Sequence, residues 1–211
     1  MRILILLVSI PLVCLTLIIV GLVIISPGKP TPIMDEKGDK PTGSISEKIF
    51  IDINGVKQGM FIRGRDTSNP VLLYLHGGMP EYFFTRRYPT GLENLFTVVW
   101  WEQRGSGLSY HTDMSMESIT LEQMIEDTKE ITRYLIKRFG KDKVYLLGHS
   151  GGTFIGIQVV KQAPELYHAY LGIAQMSDQL KSELLAYEYM LQEYKRMGNQ
   201  KMVRKLEAAP V

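Results

Sequence analysis

Apolar and polar positions along this chain follow first no period, then period two, then a mixture of short apolar runs and helical stripes. An uncharged apolar run of 24 residues, Ile3 to Ser26, opens it, preceded only by Arg2 and the amino terminus. Lys48–Ile53 and Val56–Ile62 then read as strands joined at Asn54-Gly55, a pair that favours a type I′ hairpin turn. Val71–Leu75, Phe96–Trp101 and Val144–Leu147 are short continuous runs of β-favouring residues, as strands covered on both faces require. Thr120 starts a helix with Leu121, Met124, Ile125, Thr128, Ile131 and Leu135 on one face, ended by Gly140. Phe154, Ile155, Ile157, Val159 and Val160 continue apolar into a second helix that closes before Pro164. Ala169–Ala174 is a further strand, and from Asp178 the pattern turns helical and highly charged. Strands alternating with helices predict an α/β fold: a mostly parallel sheet with helices on both faces.

The chemistry concentrates where the Val144–Leu147 strand meets its helix. Gly148-His149-Ser150-Gly151-Gly152 reads G-x-S-x-G, a strand-to-helix turn whose small neighbours let the backbones pass. Ser150 is the candidate nucleophile. The helix N-terminus points at it, so free N–H groups, that of Gly151 foremost, would face an oxyanion forming on a carbonyl attacked by Ser150. A plain chain-reversing turn is the alternative. His76-Gly77-Gly78-Met79-Pro80 follows another buried strand, and glycines there let backbone approach a ligand. Gln103 and Arg104 follow the Phe96–Trp101 strand, with Arg104 either organising the loops around the site or standing solvated.

Composition narrows the rest. The 211 residues carry a net charge of +2 and are 45% hydrophobic, which suits one globular domain after the leader. Lys and Arg are spread along the chain, so no nucleic-acid partner is expected. The one cysteine, Cys14, lies in the leader. Neither a disulfide framework nor a metal site is expected, and no cofactor. The leader would reach roughly 36 Å as a helix, more than the roughly 30 Å of bilayer hydrocarbon, and no A-x-A-like cleavage site follows it. A single-pass anchor is therefore expected over residues 1–26. Arg2 on its short side points the amino terminus to the cytoplasm and the bulk of the chain outward. Residues 27–46, with four prolines, read as a solvated tether.

Three motifs in order, His76–Pro80 (HGG-x-P), Gln103–Ser109 (QRG-x-G-x-S) and Gly148–Gly152 (GHSGG), make the chain resemble α/β-hydrolases of the proline iminopeptidase type. The resemblance runs from about Ile49 to the end. It implies a core over residues 47–175 and the start of a helical cap over 176–211. It also implies a second oxyanion donor at Gly78 or its immediate neighbour, site-loop support from His76, Gly77, Gln103 and Arg104, and removal of an N-terminal residue, often proline, from small peptides. Met79-Pro80 stands where the family usually reads Pro-Gly, and Glu102 where it usually has Asp. The elbow does not separate a peptide from an ester substrate. The order Ser, acid, His calls for an acid and a histidine on late strands, and these are expected beyond Val211. His111 and Asp178 are weak substitutes, and His168 precedes its strand. The sequence thus reads as a serine hydrolase cut short, with an unpaired sheet edge and exposed apolar surface. A non-catalytic hydrolase-like protein is the competing reading.

Overall fold

The computed structural model describes the backbone of residues 2–25 and 28–211, and the side chains of residues 10–23, 28–85 and 87–211. The ends of the expected anchor and the start of the expected tether, at Met1, Ser26 and Pro27, lie outside the described residues. Helix α1 (Arg2–Ile25) is continuous through Pro11, and its described apolar side chains, from Ile10 to Val23, are mostly exposed. Among the described residues no helix is long and apolar enough to cross a membrane.

Six strands form one sheet: β1 (Ile45–Ile53), β2 (Val56–Gly64), β3 (Val71–Leu75), β4 (Thr97–Trp101), β5 (Val144–His149) and β6 (Tyr167–Ile173), in the order β1-β2-β4-β3-β5-β6. β1 pairs antiparallel with β2 and β2 with β4, while β4, β3, β5 and β6 are parallel. The hairpin turn is as expected, with Asn54 and Gly55 at φ 48° and 75°, and the Asp52 carboxylate accepts the Gly55 N–H at 3.0 Å.

Helix α2 (Leu121–Phe139) starts where Thr120 caps the Gln123 N–H at 3.1 Å and stops at Gly140, left-handed at φ 59°. The capping hydroxyl satisfies one of the free first-turn donors. Ile125, Ile131 and Leu135 of α2 pack with Ile155 and Val159 of α3 (Gly151–Gln162) against Leu73, Leu75, Val99 and Leu146. The opposite face buries Leu72, Tyr74, Val98, Trp100 and Leu147 beneath Tyr82, Leu92 and Phe96 of the β3–β4 connection. Helices on both faces were expected. Here α2 and α3 share one face, because the β3–β4 connection holds Pro80, Pro89 and Gly91 and folds into short 3₁₀ turns at Tyr82–Arg86 and Leu92–Asn94.

Two further expectations change. The segment after residue 27 is laid against the body: Ile33 is buried, the Thr31 carbonyl accepts the Ser46 hydroxyl at 2.8 Å, and the Met34 carbonyl accepts Arg65 at 3.4 Å. It is not solvated throughout. β6, for its part, begins before His168, which lies inside the strand. β6 is last in the strand order, and Leu171 and Ile173 of β6 and Phe154 and Ile157 of α3 are exposed. After β6, α4 (Gln179–Arg196) and α5 (Gln200–Glu207) pair with each other, Tyr187 donating to the Leu206 carbonyl at 3.4 Å and Lys195 lying 3.3 Å from Glu207.

Candidate active site

Parallel register brings the loops together. Leu75 at the end of β3 lies opposite Trp101 of β4 and Gly148 of β5, so the segments starting at His76, Glu102 and His149 leave the sheet at one edge. Ser150 stands between β5 and α3 at φ 50° and ψ −121°. A non-glycine residue held there costs about 1–3 kcal/mol and persists only where its surroundings enforce it. The enforcing contacts are visible. The Ser150 N–H donates to the Ile173 carbonyl at 2.9 Å, and the Ser150 carbonyl accepts the Thr153 N–H at 2.9 Å. A Cβ on Gly152 would lie 2.2 Å from the Leu75 carbonyl oxygen, and one on Gly148 2.8 Å from that of Gly152. Only glycine permits this strand-to-helix approach.

The His76–Pro80 segment packs on this elbow through Gly77. A Cβ there would sit 2.9 Å from Ser150 Cβ and 3.2 Å from the His149 carbonyl oxygen, and a Cβ on Gly151 would lie 3.8 Å from the Gly77 backbone. Gly78 faces open space, so the close approach belongs to Gly77. His76 is buried and works as a brace. Its Nε2 accepts the Gln103 N–H at 3.1 Å, Nδ1–H donates to the Gly77 carbonyl at 2.9 Å, and the Gln103 amide donates to the His76 carbonyl at 2.9 Å. Burial holds the imidazole below its ordinary pKa, against the smaller opposing effects of the Gly77 carbonyl and Glu81. The neutral ring is the form these bonds need.

Arg104 is neither solvated nor at the nucleophile. Its Nε and Nη2 grip the Asp127 carboxylate of α2 at 2.7 and 2.9 Å, with both side chains almost fully buried. Asn54, Gln58 and Gln123 donate to the same carboxylate at 2.8, 2.7 and 2.8 Å. Burial pushes Asp127 up, but these donors outweigh it and hold the group below the ordinary carboxylate value. The cluster ties the β1–β2 turn, the loop after β4 and α2 together behind the site.

A second polar group was not foreseen from the sequence. Glu81 holds His149 Nδ1 at 2.6 Å, and the Tyr74 hydroxyl donates to its other oxygen. Burial, reinforced by Glu81, pushes the Tyr74 hydroxyl pKa far up. The loop after Gly78 is thereby fastened to the residue preceding Ser150.

The other candidates fall elsewhere. His111 is bonded to the Lys57 carbonyl of β2 at 2.7 Å, three strands from β5. His168 lies against the Tyr145 ring at 5.1 Å, near the start of β6 and therefore at the sheet end opposite Ser150. Asp178 caps α4, accepting the Lys181 N–H at 3.0 Å. Among the described residues no hydrogen bond joins an imidazole to the Ser150 hydroxyl, and no cluster of three or more His, Cys, Asp or Glu is placed to hold a metal ion. The site presents a serine on a strained turn beside two backbone segments rich in glycine, an arrangement suited to nucleophilic attack with oxyanion stabilisation.

A mostly parallel sheet in this strand order, with a strained serine between β5 and α3, defines an α/β-hydrolase. The profile of serine aminopeptidases S33 matches residues 70–203, more than half of the chain, and the chain belongs to that family of hydrolases. It is 42% identical over 149 residues to the probable aminopeptidase YbaC of Bacillus subtilis (strain 168), a match covering 70% of this chain and 47% of that protein. In structure it resembles the proline iminopeptidase-related protein TTHA1809 from Thermus thermophilus, with a TM-score of 0.56 and 23% identity over 68% of this chain and 50% of the other. It also resembles the epoxide hydrolase VrEH1 from Vigna radiata, with a TM-score of 0.51 and 25% identity over 60% and 39% of the two chains. The chain thus spans about half the length of the aminopeptidase and the iminopeptidase-related protein that it matches.

Proposed function

We propose that Ser150 is the nucleophile of a membrane-anchored aminopeptidase that removes N-terminal residues, proline among them, from small peptides. The observation that carries this reading is Ser150 itself, held at φ 50° with Gly77 pressed against it. Strain of this kind at a solvent-reachable hydroxyl is retained where it serves a reaction. In the proposed reaction Ser150 Oγ attacks the scissile carbonyl, the N–H of Gly151 holds the oxyanion with a second donor from the Gly77–Gly78 segment, and the C–N bond then breaks, the serine proton leaving on the released amine. His76 and Gln103 keep that segment in place, and Arg104 ties the loop carrying Gln103 to α2. The aminopeptidase name of the B. subtilis relative supports a peptide substrate over an ester. The uncharged run Ile3–Ser26 supports anchoring through α1, with the body outside the cytoplasm. The α4–α5 pair is read as part of a cap.

One observation favours a second reading, a hydrolase-like protein without catalysis: none of the four imidazoles of this chain is bonded to Ser150. Without a base the serine attacks slowly. Incubating the full chain with a fluorophosphonate and measuring intact mass decides between them. Labelling that disappears in Ser150→Ala, together with release of proline from a prolyl reporter amide, supports the peptidase. Labelling unchanged in Ser150→Ala refutes the nucleophile assignment, and absence of labelling supports the non-catalytic reading.

A further inference from the structure

A cavity of about 1130 Å³ opens on the sheet face away from α2 and α3, bounded by residues 28–34, β2 and the β3–β4 connection, and Ser150 does not line it. Its lining holds four cations, Lys29, Arg63, Arg65 and Arg87, against two carboxylates, Glu93 and Glu102. Arg63 is the least exposed of them. Its side chain is only 16% exposed, it lies 4.0 Å from the Glu93 carboxylate, and its Nε is buried with no hydrogen-bond partner among the described residues. A guanidinium carries five donors in a rigid fork that fits a carboxylate or phosphate two at a time. Leaving such donors buried and unpaired is costly, and the cost is removed by an acceptor entering the cavity. Arg65 is already oriented at the rim, its Nε donating to Asn94 at 2.7 Å. Glu102 is already engaged by the Leu108 N–H, and burial pushes its carboxyl pKa up against the opposing effects of that bond and of Lys48. Beside Arg63 the wall is aromatic: Phe61 and Tyr82 stack with ring centroids 3.9 Å apart.

We propose that this cavity is a second binding site, which takes a small organic anion with its carboxylate or phosphate on Arg63 and its apolar part against Phe61 and Tyr82. Arg65, Arg87 and Lys29 draw the anion in from the rim. Two sources offer this chemistry: a soluble aromatic or aliphatic anion, and the headgroup of an anionic lipid, brought near because residues 28–34 follow α1 closely in sequence. The site stands independently of the role of Ser150.

The test uses the full chain in phosphatidylcholine nanodiscs, titrated with phenyl phosphate and followed by tryptophan fluorescence, since Trp100 lies 6.4 Å from Tyr82. Saturable binding is expected, weakened about tenfold or more in Arg63→Ala, partly restored in Arg63→Lys, and unchanged in Ser150→Ala. Arg87→Ala, altering an exposed side chain, should also weaken binding while leaving thermal unfolding as it was. Nanodiscs containing phosphatidylglycerol separate the sources: loss of phenyl phosphate binding there assigns the site to a lipid headgroup, and unchanged binding assigns it to a soluble anion. No saturable binding, or binding equal to the parent in both Arg63→Ala and Arg87→Ala, overturns the proposal.

Discussion

Replacing Asp127 by alanine should be among the most damaging single changes in the body of this protein. The carboxylate accepts five hydrogen bonds, three at Oδ1 and two at Oδ2, from Arg104, Asn54, Gln58 and Gln123. Its removal leaves the Arg104 guanidinium, 3% exposed, without a counter-charge and strands three amide donors. Removing one partner of a buried pair costs about 3–5 kcal/mol, out of a total of about 5–15 kcal/mol for a domain. In a chain of this length each kcal/mol moves the midpoint about 2–4 °C, so Asp127→Ala should melt about 6–20 °C lower. Circular dichroism during thermal and urea unfolding measures this. Asp127→Asn keeps the shape but turns an acceptor into a donor among donors, and it should fall in the same range. The double change Arg104→Met with Asp127→Leu removes both charges and should recover much of the loss, because the penalty lies in the stranded partner. A single variant costing less than about 1 kcal/mol, or a double variant no more stable than Asp127→Ala, would refute this account.

Other expectations follow from the same geometry. Gly77→Ala should suppress fluorophosphonate labelling of Ser150 by about tenfold or more, since the new methyl meets Ser150 Cβ at 2.9 Å, whereas Gly78→Ala, facing open space, should change it little. Ser150→Gly should raise stability in urea by about 1–3 kcal/mol by releasing the φ 50° conformation, and an unchanged midpoint would show the turn to be unstrained. Lowering the pH should destabilise the fold in two stages. His76 has a folded pKa below its ordinary 6.5, so its contribution is present above 6.5 and is lost as pH falls through the folded value. Asp127, held below 3.8, contributes above 3.8 and is lost only at more acid pH. His76→Gln should remove the first stage in a melting series against pH and leave the second.

The parts of this fold legible in the sequence are those set by neighbouring residues. Asn54-Gly55 fixed a turn whose two positive φ angles need no distant partner. Thr120 and Gly140 bounded α2, and the apolar runs of β3 and β5 stood out because both faces are covered. Ser150 was readable for the same reason, since elbow, strand and helix lie within about twenty consecutive residues. What the sequence hid are long-range pairings. Arg104 was visible, but not that its partner would be Asp127, 23 positions on. A carboxylate within the buried stripe of α2, one turn after Gln123, was the signal available. Glu81 and His149 are 68 residues apart, and no local pattern joins them. The covering of the second sheet face was misjudged because the β3–β4 connection closes it with aromatic side chains and short turns instead of a helix.

The docking of residues 28–34 on the body changes what α1 does mechanically. Only Ser26 and Pro27 separate Ile25 from Gly28, and three Cα steps reach at most about 11 Å. With α1 in a bilayer, as proposed, the leash is far shorter than the twenty residues of the expected tether. The body then rides close over the surface and samples few heights and tilts. Substrates of the proposed peptidase would then approach it from a thin layer of solution beside the lipid, and its encounters would be those of a particle moving in two dimensions.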